Sequence, residues 1–358
     1  MWWAVGSVFA VVAAVLIGAS LIKVDYVILS PGSTYDTNDR VSVGGGQPTY
    51  TPTGPLDFVT VSEKVDPSMI EKLIADRDPN ADVSPAQQQL GTRSPQQDAA
   101  LNLLMMRSSK DTAAYVALTK LGYQVPTETL GAVVTDISPN TPAASAGLLP
   151  GDSITAIDGT EITSSQALRD AIGAHKPGDK LTLTVKQQQG DPKAVEVTLG
   201  AKPDAANVGF LGVGTTDLVI PQLPFPVTLR TDDVGGPSAG LAFTLAIMDL
   251  LTPGELTGGQ PVAVTGTMGS DGKVGAIGGI EQKVVAVERS SEHPKVFLVP
   301  ADDRCGQDGG SCNYSDAVRK AGDKLTIVPV TTLDDALAAL AKQGGNGLTL
   351  GTPGAPAA

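Results

Sequence analysis

The stretch from Gly131 to Leu199 constrains the fold more than any other part of the chain. Gly131 to Ile137 reads as a strand, and Ser138-Pro139-Asn140-Thr141-Pro142 as a turn. Ala143 to Leu148 is a short helix, followed by Pro150-Gly151-Asp152 and a strand from Ser153 to Ile157. After Asp158-Gly159 comes a helix over Ser164 to Ile172, then Leu181 to Val185 and Ala194 to Leu199 as a hairpin. Elements this short and closely spaced describe a small β-rich unit in mid-chain. With 358 residues in all, a second and larger body must be built from what lies on either side.

The flanking sequence has a different texture. Val24 to Leu29 is strand-like and ends at Ser30-Pro31-Gly32-Ser33, and Leu56 to Val61 is a second strand. Pro79 to Pro95 is polar and reads as a loop. From Gln96 to Leu121 the apolar spacing becomes helical, with Leu101, Leu104 and Met105 on one face. Residues 343–358 are Gly- and Pro-rich and read as a disordered tail. Aromatic residues are only 4% of the chain, so its cores rest on Val, Leu, Ile and Ala.

Trp2 to Ile22 carries no charge, enough to cross a ~30 Å hydrocarbon layer as a helix. Residues 1–23 are therefore expected to form a single transmembrane anchor in the cytoplasmic membrane, with the body of the chain extracytoplasmic. The alternative is a cleaved signal peptide, although no Lys or Arg precedes the run. The only cysteines, Cys305 and Cys312, sit in a Gly-rich loop short enough to close a disulfide, in keeping with an oxidising compartment. Half of a metal site is the rival reading. Only His175 and His293 could supply imidazole ligands, which disfavours zinc, so no metal is expected. A net charge of −13 argues against nucleic acid as a partner. No phosphate loop ending in Lys-Ser or Lys-Thr is present, and no cofactor is expected.

Chemistry concentrates in two places. Gly235-Gly236-Pro237-Ser238-Ala239-Gly240 opens an apolar helix from Leu241 to Leu251. Pro237 suits the first helical position, which puts Ser238 in the first turn, among unpaired amides that can hold an oxyanion. Backbone groups of Gly236, Ser238 and Ala239 are the candidates. A serine hydroxyl needs an adjacent base. Ile280, Lys283, Val284 and Val287 form one helical stripe, so Lys283 is a charged residue on an apolar face. Burial would lower its pKa from ~10.4 and free the amine as a base. A lysine snorkelling from a helix end fits the same pattern. Gly-x-Ser-x-Gly also fits a nucleophile elbow served by His293, but the polar, Gly-rich stretch before Ser238 does not read as the buried strand an elbow needs.

The run "SPNTPAASAGLLPGDSITAIDG", within residues 121–201, strongly resembles a PDZ domain. The resemblance implies peptide binding by strand addition. It points to Leu121-Gly122-Tyr123-Gln124 as the loop that would hold a terminal carboxylate. Further on, "GGPSAGLAF", "VAVTGTMGSDGKVGAIGGIEQKVVAV", "VFLVPADD" and "TIVPVTTLDDAL" resemble the proteolytic domain of Lon-type proteases over nearly all of 205–342. That resemblance implies a Ser–Lys dyad of Ser238 and Lys283, with Thr265 hydrogen-bonded to the amine. Met105 to Ser109 resembles the helix preceding the catalytic motif in that fold.

The chain is thus similar to the bacterial membrane-anchored PDZ–Lon family. The implied fold class is α+β: a Lon-type domain (24–120 and 202–342) with an inserted PDZ domain (121–201) and an N-terminal transmembrane helix. The implied activity is ATP-independent serine endoproteolysis of exposed or membrane-proximal polypeptides recruited through the PDZ domain, with their C-termini as the expected handle. The alternative is a non-catalytic, membrane-tethered peptide-binding adaptor. Lon-type domains commonly form rings, which implies a homo-oligomer. Two departures stand out. Many Lon proteases have Asp where this chain has Gly235, and Glu where it has Thr267.

Overall fold

The computed structural model describes residues 17–186, 191–231, 234–301 and 312–346. The larger body is built on a six-stranded mixed sheet. Its order is Thr326–Val330, Val296–Pro300, Val262–Val264, Leu56–Val65, Tyr26–Asp36 and Asp82–Pro85. The first four strands run parallel, and the last two join antiparallel. Strands from before and after the mid-chain unit therefore share one sheet.

Strand periodicity explains the layering. Leu56, Phe58, Val262, Val264, Val296 and Leu298 point into one core. That core is closed by a long helix, Pro95–Lys120, and by the helix Gly240–Leu251. Their neighbours Val59, Ala263, Phe297 and Val299 point the other way, into a core closed by the helices Ile280–Glu288 and Asn313–Ala321. The result is a helix–sheet–helix sandwich. The helix after Ser238 and the helix bearing Lys283 lie on opposite faces of the sheet.

The second unit has its own sheet, ordered Val213–Pro221, Thr127–Ile137, Ser153–Ile157, Lys180–Lys186 and Lys193–Thr198. Its helix Ser165–Gly173 is capped by the Ser164 side chain, which accepts from the Ala167 amide. Leu168 and Ile172 of that helix enter a core with Ala132, Val134, Ile154 and Leu183.

Several expectations are revised. The turn signal at Ser30 to Ser33 does not end a strand. Tyr26–Asp36 runs through it, and the register shift between Pro31 and Thr34 absorbs the extra residues as a bulge. The polar stretch after Pro79 contains the strand Asp82–Pro85 and the helix Ala86–Leu90, held by pairing with Tyr26–Leu29. Such pairing is a long-range effect that local polarity does not report.

The transmembrane expectation is also corrected. Residues 1–16 of the apolar run lie outside the described residues, and the remainder of the run is helical only over 17–21. Among the described residues, no helix is long and apolar enough to cross a membrane. Lys23 pairs in a β-bridge with Ser68, which ends the run against the larger body. The single-pass anchor and the localisation built on it are therefore not supported. At the other end, the Asn346 amide donates to the Glu255 carbonyl at 2.9 Å, and residues 347–358 lie outside the described residues.

Candidate active site

Ser238 sits in the turn just ahead of the helix Gly240–Leu251, two residues before its first residue and not within its first turn. The long helix holds this turn in place. The Gly236 amide donates to the Asn102 carbonyl at 2.8 Å, and Ser109 Oγ donates to the Pro237 carbonyl at 3.1 Å. Gly240 is required by close approach, since a Cβ there would lie 2.9 Å from both the Met268 amide and Ser109 Oγ. The same crowding bears on Gly235, where a Cβ would meet Asn102 Cβ at 3.0 Å. An Asp at that position would need the long helix to give way.

Lys283 reaches the site from the other face of the sheet. Its helix starts at Gly279, which adopts a left-handed φ of 65°. The apolar stripe is realised: Ile280, Val284 and Val287 are buried, and Lys283 itself is only 2% exposed. The amine stays inside rather than snorkelling. Its Nζ is 2.7 Å from Ser238 Oγ and 3.0 Å from Thr265 Oγ1. Both partners are neutral hydroxyls, so neither supplies a negative charge to hold the proton. Burial pushes the amine down to about 7.

Thr265 joins the two halves. It follows the strand Val262–Val264, is fully buried, and donates from Oγ1 to the Ser238 carbonyl at 3.2 Å. The three side chains thus meet beyond the carboxyl end of a parallel strand, where open α/β sheets commonly place their sites. Ser238 and Lys283 line a groove of about 1130 Å³, walled by Val59 and Val61 of the sheet, Leu103 and Met106 of the long helix, and Ile277 to Gly279, with Thr265 buried behind them.

The remaining sequence candidates divide. Gly236 is not a spare oxyanion donor, because Asn102 takes its amide proton. No acceptor among the described residues takes the amide of Ser238 or of Ala239. His293 is exposed, in the turn beyond the lysine helix, and forms no part of the cluster. The expected loop Leu121 to Gln124 packs side chains on the larger body. Leu121 is buried in the core of the larger body, and Tyr123 packs edge-on against Phe225 with ring centroids 5.2 Å apart. Cys312 precedes the helix Asn313–Ala321 and is disulfide-bonded, while its expected partner Cys305 lies outside the described residues. Sequence reasoning misses Asn102, because its contribution is a backbone carbonyl, which no side-chain pattern announces.

Residues 232–342 match the family model of the Lon protease (S16) C-terminal proteolytic domain, and residues 119–199 match that of the PDZ domain. The chain carries a Lon-type serine protease domain and a PDZ domain. Similar curated proteins include a probable periplasmic serine endoprotease DegP-like from Halomonas elongata. It is 40% identical over 75 residues, covering 21% of this chain and 16% of that protein. Serine protease PepD of Mycobacterium tuberculosis is 37% identical over 82 residues, covering 22% of this chain and 18% of that protein. The chain therefore spans less than a fifth of the length of either. Among solved structures, the PDZ domain of an SdrC-like protein from Listeria monocytogenes is 29% identical. It covers 24% of this chain and 87% of that one, with a TM-score of 0.22.

Proposed function

We propose that this PDZ–Lon protein is an ATP-independent serine endopeptidase that uses Ser238 as nucleophile and Lys283 as general base. The observation that carries the reading is the 2.7 Å separation of a buried Lys283 Nζ and Ser238 Oγ. An amine held down to about 7 is largely neutral in mildly alkaline solution, so it can take the serine proton as Oγ attacks a peptide carbonyl. The lysine then returns that proton to the leaving amine. Thr265 fixes the amine by accepting one of its N–H groups, which leaves the nitrogen lone pair directed at Ser238. The amides of Ser238 and Ala239 are the donors placed to hold the tetrahedral oxyanion. Water then hydrolyses the acyl-enzyme by the same proton path.

The substrates are polypeptides. The groove beside Ser238 has room for a polypeptide segment, with Val59, Val61, Leu103 and Met106 among polar neighbours on its walls, and the PDZ domain supplies a second peptide-binding module. The experiment is digestion of an unfolded protein by the purified chain. Loss of cleavage in both Ser238→Ala and Lys283→Ala supports the dyad. Retention in Lys283→Ala with loss in His293→Ala would transfer the chemistry to an esterase-like triad. Binding without cleavage under any condition would leave a peptide-binding adaptor.

A further inference from the structure

The charges of the catalytic groove sit at opposite ends of one strand. Leu56–Val65 supplies Phe58 to Glu63 in succession to the groove wall. Arg40 lies 4.5 Å over the Tyr35 ring, and Tyr35 stands opposite Phe58 in the sheet. Glu63 stands opposite Leu29, roughly 17 Å further along the same strand. Among the described residues that line the groove, Glu63 is the only carboxylate, and Arg40 and Lys283 are the only cations.

The Glu63 carboxylate is unmatched. Its side chain is exposed and enters no hydrogen bond or ion pair among the described residues. The next residue, Lys64, points to the opposite face of the strand and is bridged to Glu71. Arg93, whose charge acts on Glu63, is already paired with Asp98 at 2.9 Å. Partial desolvation at the groove wall and the Asp98 charge both raise the Glu63 carboxyl above its usual value. A cation brought in by a ligand would offset both.

Strand register places this carboxylate relative to the dyad. Thr265 follows Val264, which pairs with Phe58, so Thr265 lies level with Val59. Beyond it, Val61 abuts the start of the lysine helix, where a Cβ on Gly279 would meet Val61 Cγ1 at 2.7 Å. Glu63 lies further out on the same face, roughly 13 Å along the strand from Val59. An extended chain lying in the groove covers that distance in about four residues.

We propose that Glu63 is a specificity-determining residue that takes a Lys or Arg side chain of the substrate, about three to four residues from the bond cut at Ser238. The inference rests on the endopeptidase reading and names a substrate feature which that reading leaves open. Polypeptides with a basic residue at that distance are favoured over those with a neutral or acidic one.

Peptides of one sequence carry Lys, Gln or Glu at a single position, which is moved outward from the cut bond on both sides. In the wild type, kcat/KM for the Lys peptide is expected to exceed that for the Gln peptide about five-fold at one such position, the upper end for one exposed charge pair. The ratio should fall toward unity in about 0.5 M salt. Glu63→Gln is expected to abolish the preference, and Glu63→Lys to turn it toward the Glu peptide. Each ratio is taken within one protein, so partial misfolding of a variant does not move it. A wild-type ratio below about two-fold at every position, or a preference that survives Glu63→Gln, overturns the proposal. A second arm is independent of catalysis. The Ser238→Ala protein is expected to bind the Lys peptide about five-fold more tightly than the Gln peptide, and added Glu63→Gln to remove the difference. Equal binding overturns the proposal. The binding difference without cleavage by the wild type would sink the endopeptidase reading and leave Glu63 as the site for a basic side chain.

Discussion

Thr265 Oγ1 lies 3.0 Å from Lys283 Nζ, and the same hydroxyl donates to the carbonyl of Ser238. One fully buried side chain therefore ties the base to the turn that carries the nucleophile. Thr265→Val keeps the shape and removes both contacts. It is expected to lower kcat/KM by roughly 10- to 100-fold, the cost of leaving buried polar groups unpaired. Thr265→Ser restores the hydroxyl and should recover most of the loss. Steady-state kinetics on a peptide substrate, with thermal melts to confirm folding, check this.

Much of this arrangement is legible in the sequence, because its chemistry is local. A serine in a Gly-rich turn ahead of an apolar helix, and a lysine on an apolar stripe, are each contained within one element. What brings them together is not local. The helices lie on opposite faces of one sheet and meet only because the strand Val262–Val264 ends between them. The grip of the long helix on the nucleophile turn runs through the Asn102 carbonyl, to which residue type is irrelevant. The bulge at Pro31 and the strand Asp82–Pro85 escape a sequence reading for a similar reason, since partner strands decide both. Leu121 sits at the end of the long helix, so its burial follows that helix and not the PDZ fold beyond it.

Burying Lys283 costs stability. Its folded pKa is lowered to about 7, so between there and ~10.4 the unfolded chain binds more protons. Stability should therefore rise with pH across that window, with the full penalty present below about 7. Lys283→Met removes a gross penalty of several kcal/mol but takes the amine from Ser238 Oγ and leaves Thr265 Oγ1 only the Ser238 carbonyl, at about 1–3 kcal/mol. The variant is expected to be inactive yet more stable than wild type by about 1–3 kcal/mol at pH 7. The difference should shrink as the pH approaches ~10.4. Denaturant unfolding at several pH values measures it.

A second buried charge lies at the far end of the lysine helix. Thr34 Oγ1 donates to Ser290 Oγ at 2.8 Å, and Ser290 Oγ lies 3.5 Å from Asp57 Oδ2. Asp57 Oδ1 has no hydrogen-bond partner among the described residues. Burial, with Asp36 and Glu292 nearby, pushes Asp57 up to about 6. A raised carboxyl pKa gives stability that is complete below ~4 and lost as pH rises through about 6. Asp57→Asn keeps an acceptor for Ser290 and removes the charge. It should stabilise the protein by about 1–3 kcal/mol above pH 6 and by little below pH ~4.

The Ser109 hydroxyl offers a test of how far the long helix positions the nucleophile. Ser109→Ala removes its bond to the Pro237 carbonyl. The expected effect is a fall in kcat of several-fold, in line with about 1 kcal/mol for one such bond, with KM for a short peptide little changed. An unaltered kcat would show that the turn holds its shape without this contact.

The most direct measurement is the rate at which Ser238 is acylated by an activated ester, followed from pH 5 to 10 in wild type and in Lys283→Ala. A neutral amine beside the serine predicts a single rise with its midpoint near 7 in the wild type. The same model predicts a rate at least ~100-fold lower in the variant, without that rise. A midpoint at the ordinary lysine value, or a variant that acylates as fast as wild type, would contradict it.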